Sequence, residues 1–266
     1  MKNIHLFYFS PTHTTKRTLQ GIGKGFGREV IEHDLTFACE SDEVFNLGEN
    51  DIAIVGVPVY AGRVPEIVTN ILKRVHGNNT LAVAVVVYGN RAFEDALLEL
   101  KNILKENGFS VIAGGAFIGE HSYTKKVGTK RPDNNDIEIA VNFGKKIDEL
   151  VRENSYKNDI EVPGNFPYRD GIPKMSFAPM ANDNCIYCRK CWSVCPVGAI
   201  DQRKPDIVQV EKCIRCYACV KVCTFDGREI PNNPLVKIIN YLETNCTDRK
   251  EPELFYYIKV DKKGLV

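Results

Sequence analysis

Five short stretches of the chain are strongly apolar: 4–9 (IHLFYF), 30–35 (VIEHDL), 51–60 (DIAIVGVPVY), 80–89 (TLAVAVVVYG) and 110–119 (SVIAGGAFIG). The last three are nearly unbroken apolar runs, as expected of strands covered on both faces of a parallel sheet. Between these stretches the apolar residues fall at helical spacing. Over 65–75, Ile67, Ile71 and Leu72 share one side behind Pro65, a residue suited to a first helical turn. Phe93, Leu97, Leu100 and Leu104 recur over 93–106, and Ile139, Phe143, Ile147, Leu150 and Val151 over 135–153. Five strands alternating with helices predict an α/β domain over residues 1–153, built on a doubly wound five-stranded parallel sheet.

The pattern breaks after residue 153. Pro163, Pro167, Pro173 and Pro179, with Gly164 and Gly171, exclude a long helix and predict an extended surface linker over 154–182. A cysteine-rich domain follows over 183–231. The tail, 232–266, carries a helical pattern near 234–244 and an alternating strand-like segment, FYYIKV, at 255–260. The pattern assigns this tail no function.

Composition adds limits. At 44% hydrophobic and 26% charged residues a core can form, and a net charge of +1 gives no electrostatic reason to expect nucleic acid as a partner. The longest apolar stretches are roughly half of the ~20 residues that a membrane helix needs. The N-terminal segment has no signal-peptide pattern, so the expectation is a cytoplasmic protein with no membrane partner.

The ten cysteines change the picture most. Eight fall within 39 residues, as Cys185-x2-Cys188-x2-Cys191-x3-Cys195-Pro196 and Cys213-x2-Cys216-x2-Cys219-x3-Cys223. Clustering argues for metal rather than disulfides. Structural zinc takes its four ligands as two separated pairs and gains nothing from a third cysteine three residues on. An iron–sulfur cube does, because three closely spaced thiolates wrap one side of it and a fourth arrives from elsewhere. Cys39 and Cys246 lie apart and are expected to be ordinary thiols.

Candidate chemistry also sits after the first strand. Ser10-Pro11-Thr12-His13-Thr14-Thr15 gathers hydroxyls before a helix, which makes either a simple helix cap or an anion site. No Walker loop or dinucleotide fingerprint follows, so direct reduction by pyridine nucleotides is not expected. Loops after the third and fourth strands, Pro58-Val59-Tyr60-Ala61-Gly62 and Tyr88-Gly89-Asn90-Arg91-Ala92-Phe93, should converge with it at the carboxyl edge of the sheet. Gly119-Glu120-His121-Ser122 lies at the end of the fifth strand.

The hydroxyl loop resembles the phosphate loop of flavodoxins, S/T-x-T-G-x-T. Ser10, Thr12, Thr14 and Thr15 match, and His13 stands in place of the glycine. That resemblance implies FMN, with its phosphate on residues 10–15 and its ring between the 58–62 and 88–93 loops. The cysteine runs resemble bacterial two-cluster ferredoxins, apart from Thr224 where a second proline is usual. This likeness implies two [4Fe–4S] clusters and crossed ligation. Cys185, Cys188, Cys191 and Cys223 would hold one cluster, and Cys213, Cys216, Cys219 and Cys195 the other. The order of parts is similar to flavodoxin–ferredoxin fusion proteins (EFR-type ferredoxins of anaerobic bacteria), and the PVYAGRVP and VYGNRAFEDAL segments strengthen the likeness.

The expected function is electron transfer between the clusters, the flavin and redox partner proteins such as ferredoxin- or flavodoxin-dependent enzymes. A basic stretch, Lys125, Lys126, Lys130 and Arg131, can steer an acidic partner. The alternative is a flavoenzyme that reduces a small molecule at FMN with the clusters as electron inlet. Its candidate groups would be His121, Tyr60 and Arg63, which form no recognisable constellation.

Overall fold

The computed structural model describes residues 2–171, 176–230 and 234–257. Pro173, the expected boundary at 231–232 and the last three residues of the 255–260 segment lie outside them.

Five strands form as the apolar runs predict: β1 (Asn3–Tyr8), β2 (Val30–Asp34), β3 (Asp51–Pro58), β4 (Thr80–Tyr88) and β5 (Phe109–Ile118). All five pair in parallel, in the order β2-β1-β3-β4-β5. That is the flavodoxin-like doubly wound order, whose switch point lies between β1 and β3. Helices α1 (Thr14–Gly25) and α4 (Asn134–Arg152) cover one face. On the other face lie α2 (Glu66–Leu72) and α3 (Ala96–Glu106). Every residue of β4 is buried, which is why that segment shows no alternation.

The tail alters the expected sheet. Helix α5 (Val236–Asn245) is followed by β6 (Glu253–Tyr256), which pairs antiparallel with β5. The sheet therefore has six strands, and its last edge comes from the far end of the chain. Asn90 anchors this return, because its Nδ2 donates to the carbonyls of Cys246 at 2.7 Å and Asp248 at 2.8 Å. Arg249 pairs with Asp133 at 2.7 Å, and the Lys250 Nζ donates to the Arg91 carbonyl.

The described residues of the proline-rich segment 154–182 form no helix and are pinned to the sheet domain. Ile160 is buried in the core beside β5. The Asp95 carboxylate accepts from the backbone N–H groups of Asn165 (2.8 Å) and Arg169 (2.7 Å). Met180–Ala181, at the end of that segment, pairs antiparallel with Arg228–Glu229 of the cysteine domain. The two domains touch directly: Cys39 Sγ donates to the Pro196 carbonyl at 3.1 Å, and Lys221 pairs with Glu120 at 2.9 Å.

Candidate functional site

The two cysteine runs fold alike. In each, the residue before the second cysteine (Tyr187, Arg215) and the residue after it (Arg189, Tyr217) adopt left-handed backbone conformations, with φ of 56°, 54°, 64° and 64°. Single helical turns, Lys190–Ser193 and Ala218–Lys221, then carry the third cysteines. Such backbone turns aim successive N–H groups into one concavity. The Arg215, Ala199 and Gly227 N–H groups donate to Cys213, Cys195 and Cys223 Sγ at 3.4, 3.3 and 3.2 Å.

The runs exchange their fourth cysteines in space. Cys185, Cys188, Cys191 and Cys223 surround one small cavity, and Cys195, Cys213, Cys216 and Cys219 surround a second. Among the described residues no three His, Cys, Asp or Glu side chains converge as a site for a single ion. Burial pushes the Cys219 thiol up to about 12 and raises Cys216, Cys213 and Cys191 as well. Binding iron therefore requires proton release here. Arg228 supplies a further observation on fit. It is buried, and its Nε and Nη2 have no hydrogen-bond partner among the described residues. An uncompensated buried cation costs on the order of several kcal/mol, and anionic thiolate clusters would supply the missing charge.

A larger cavity, about 370 Å³, opens at the carboxyl edge of the sheet. That size suits a small-molecule site. Ser10, Thr12, Thr14 and Thr15 reach it, as do Pro58 to Gly62, Tyr88, Gly89 and Arg91. The helix-cap role of the hydroxyl loop is realised by Ser10, whose Oγ accepts from the Lys16 N–H at 3.0 Å. Thr15 behaves differently: its Oγ1 is buried without a hydrogen-bond partner among the described residues. With the first-turn N–H groups of α1, it gives a polar corner suited to an anion. His13 is exposed and left-handed, with φ 63°, so the backbone takes the shape that glycine would adopt most easily.

The 58–64 loop is a tight hairpin. Tyr60 and Arg63 exchange backbone hydrogen bonds at 3.0 and 3.1 Å around Ala61 (φ 50°) and Gly62 (φ 81°). Two positive φ values make a type I′ turn. Arg63 points away from the cavity: it makes paired contacts of 2.8 and 2.7 Å with the Glu99 carboxylate and lies over the Tyr168 ring at 4.8 Å. Three other sequence-predicted residues lie beside the cavity wall rather than on it. His13 faces solvent, Asn90 holds the tail, and Phe93 packs on Tyr88 with ring centroids 5.5 Å apart.

His121 lines the cavity, but its Nδ1 accepts from the Tyr123 N–H at 3.1 Å. Burial, reinforced by Lys221 and Arg91, pushes its pKa down to about 4. It is neutral at pH 7 and unsuited to serve there as a general acid. Burial alone would raise Glu120, but hydrogen bonds from Lys221 and the Lys130 N–H hold its carboxyl below the usual range.

Sequence reasoning missed part of the wall. Leu235, Ile238, Tyr241 and Leu242, in and just before α5, close one side, while Tyr123, Arg169 and Arg215 complete it. The helical spacing of 235, 238 and 242 was the available signal for the tail. Arg215 also lines the cavity of Cys195, Cys213, Cys216 and Cys219. Tyr123, on the larger cavity, packs against Tyr217 of the second cysteine run, with tilted rings whose centroids are 4.7 Å apart. Burial raises the Tyr60 hydroxyl first, and the neighbouring thiols of Cys216 and Cys213 raise it further.

Residues 180–224 match a family model described as a 4Fe-4S dicluster domain. The chain has no match among the curated proteins. Among solved structures it is similar to a flavodoxin from the domain Archaea, at 17% identity over 57% of this chain and 99% of that one, with a TM-score of 0.36. Similar values hold for a flavodoxin of Streptococcus pneumoniae TIGR4 (17% identity, 56% and 98% covered, TM-score 0.41). Flavodoxin 1 of Bacillus cereus is 15% identical, with 56% and 98% covered and a TM-score of 0.37. The strand order, not these distant likenesses, carries the fold of residues 3–118. The chain joins a flavodoxin-like domain to an iron–sulfur domain of the 4Fe-4S dicluster type, and an electron-transfer role follows from those parts.

Proposed function

We propose that this flavodoxin-like and iron–sulfur chain relays single electrons through two [4Fe–4S] clusters to or from an FMN in the large cavity. Cys185, Cys188, Cys191 and Cys223 would hold the distal cluster, and Cys195, Cys213, Cys216 and Cys219 the proximal one. Residues 10–15 would hold the flavin phosphate, and the 58–62 and 88–93 loops would flank the ring. The carrying observation is the wall shared by the proximal cysteine cavity and the large cavity at Arg215. The distal set lies farther out, with Cys188 exposed among Ile186, Tyr187 and Trp192. A redox partner protein would meet the distal cluster first.

FMN supplies a centre that accepts one or two electrons, matching one-electron carriers to two-electron chemistry. The chain's own residues bind, orient and exclude water there. Arg91 and Arg169 both pair with Glu94, which offsets one of their two positive charges and fixes both side chains in the wall. Of the three candidate groups for the small-molecule enzyme alternative, Tyr60 lines the cavity, whereas His121 is neutral and Arg63 is turned away.

The test is anaerobic iron, sulfide and flavin analysis, then reduction by a low-potential one-electron donor. The expected content is about eight irons and one FMN per chain. In Cys216→Ser, the distal cluster should still be reduced while the flavin lags by at least tenfold in rate. About four irons in the native protein, or no flavin bands, would sink the reading.

A further inference from the structure

The two cysteine runs can be superposed residue by residue. Gly198 and Asp226 are both left-handed (φ 58° and 48°), and the next residues, Ala199 and Gly227, each donate N–H to the fourth cysteine of their run. In this register the residue after Ala199 is the buried, apolar Ile200, and the residue after Gly227 is Arg228. The fold at this position is served by an aliphatic side chain, so the arginine needs another reason.

Arg228 is 4% exposed. Its Nη1 donates to the Pro205 carbonyl at 2.6 Å and approaches Cys191 Sγ at 3.7 Å. The other two nitrogens are without hydrogen-bond partners among the described residues, and no carboxylate there pairs with the guanidinium. Arg228 lines the cavity of the distal set, and its side chain also lies beside the Cys219 thiol of the proximal set.

We propose that Arg228 is a counter-cation shared by the two iron–sulfur clusters, raising the reduction potential of each. The inference rests on the two-cluster reading above. A [4Fe–4S] cube with four thiolates is anionic and gains one further negative charge on reduction, so a fixed buried cation favours the reduced form. One electron enters from an external donor, which is oxidised by one electron; no bond is made or broken and no proton moves. Because the guanidinium faces both sets, its removal should lower both potentials together.

The test is a mediator-coupled anaerobic redox titration of the whole protein, read by electron paramagnetic resonance. Arg228→Met is compared with Arg228→Lys and with Arg203→Gln, which removes an equal charge from the exposed surface of the same domain. Arg228→Met should make both clusters about tenfold harder to reduce in equilibrium constant, about 59 mV for one electron. Arg228→Lys and Arg203→Gln should stay near the native values. Unchanged potentials in Arg228→Met, or a shift confined to one cluster, would overturn the shared role. If Arg228→Met loses its iron, Arg228→Lys decides. Native potentials in that variant support the role of charge, and a tenfold fall overturns it. A native protein with four irons would overturn the two-cluster reading itself, and the proposal with it.

Discussion

At the scale of single residues, the cysteine spacing was fully legible because cluster chemistry constrains adjacent positions in the chain. Arg228 was not, because a lone arginine after a cysteine run looks like any solvated charge. Only the register between the two runs, with Ile200 opposite it, would have exposed it. His121 shows the converse: its position was readable and its protonation was not. Its folded pKa of about 4 lies below the ordinary value of 6.5. The unfolded chain therefore binds more protons between those values, and stability is lost as pH falls from about 6.5 to about 4. The loss attributable to this group is at most about 3 kcal/mol, less in practice because the ring is partly exposed. His121→Gln should flatten the fall in melting temperature over that window; an unchanged profile would contradict the assigned shift. His13 makes a smaller test. Glycine at this left-handed position relieves a steric cost of roughly 1 kcal/mol, partly offset by its greater freedom when unfolded. His13→Gly should melt no lower than the native protein.

At the scale of elements, the strands of residues 51–58 and 80–88 were readable from continuous apolar runs, and α3 and α4 from helical spacing. The tail was not placed, because β6 is four residues long and finds its partner, β5, more than a hundred residues earlier in the chain. No local pattern encodes such a pairing. The same holds for the linker, whose prolines spoke against a helix but could not announce the Asp95 carboxylate that pins it. Asn90 is the clasp of the tail. Asn90→Ala leaves the Cys246 and Asp248 carbonyls without this donor, at a cost of about 1–3 kcal/mol. Residues 234–257 should then exchange amide hydrogens faster and be cut earlier by protease, while β1 to β4 keep their protection. Beside the 58–64 hairpin, Glu99 accepts from Arg63 and from the Val64 N–H. Glu99→Ala removes the acceptor of both and should cost about 1–3 kcal/mol, measured as a drop in melting temperature.

At the scale of the whole molecule, the proposed electron route depends on contacts between domains that are distant in sequence. The Tyr123–Tyr217 ring contact and the Glu120–Lys221 pair hold the second cysteine run beside the cavity, and the Cys39–Pro196 hydrogen bond ties the end of the first run to the sheet domain. Sequence spacing identified both modules but carried no information on which set of cysteines lies beside the large cavity. Transfer inside one chain should follow first-order kinetics, with a rate unchanged when protein concentration varies tenfold. A rate rising in proportion to concentration would place the electron step between molecules.

The return of the tail also sets an order of events during synthesis. The cavity is walled by α5, and the sheet edge beyond β5 is completed by β6, yet both are made after the whole cysteine domain. At about 5–20 residues per second, β5 waits on the order of ten seconds for its last neighbour to emerge. During that interval the cavity lacks the wall made by Leu235, Ile238, Tyr241 and Leu242. Residues 236–256 are made after the sheet they complete, so this wall of the cavity is added only once the cysteine region between them has been made.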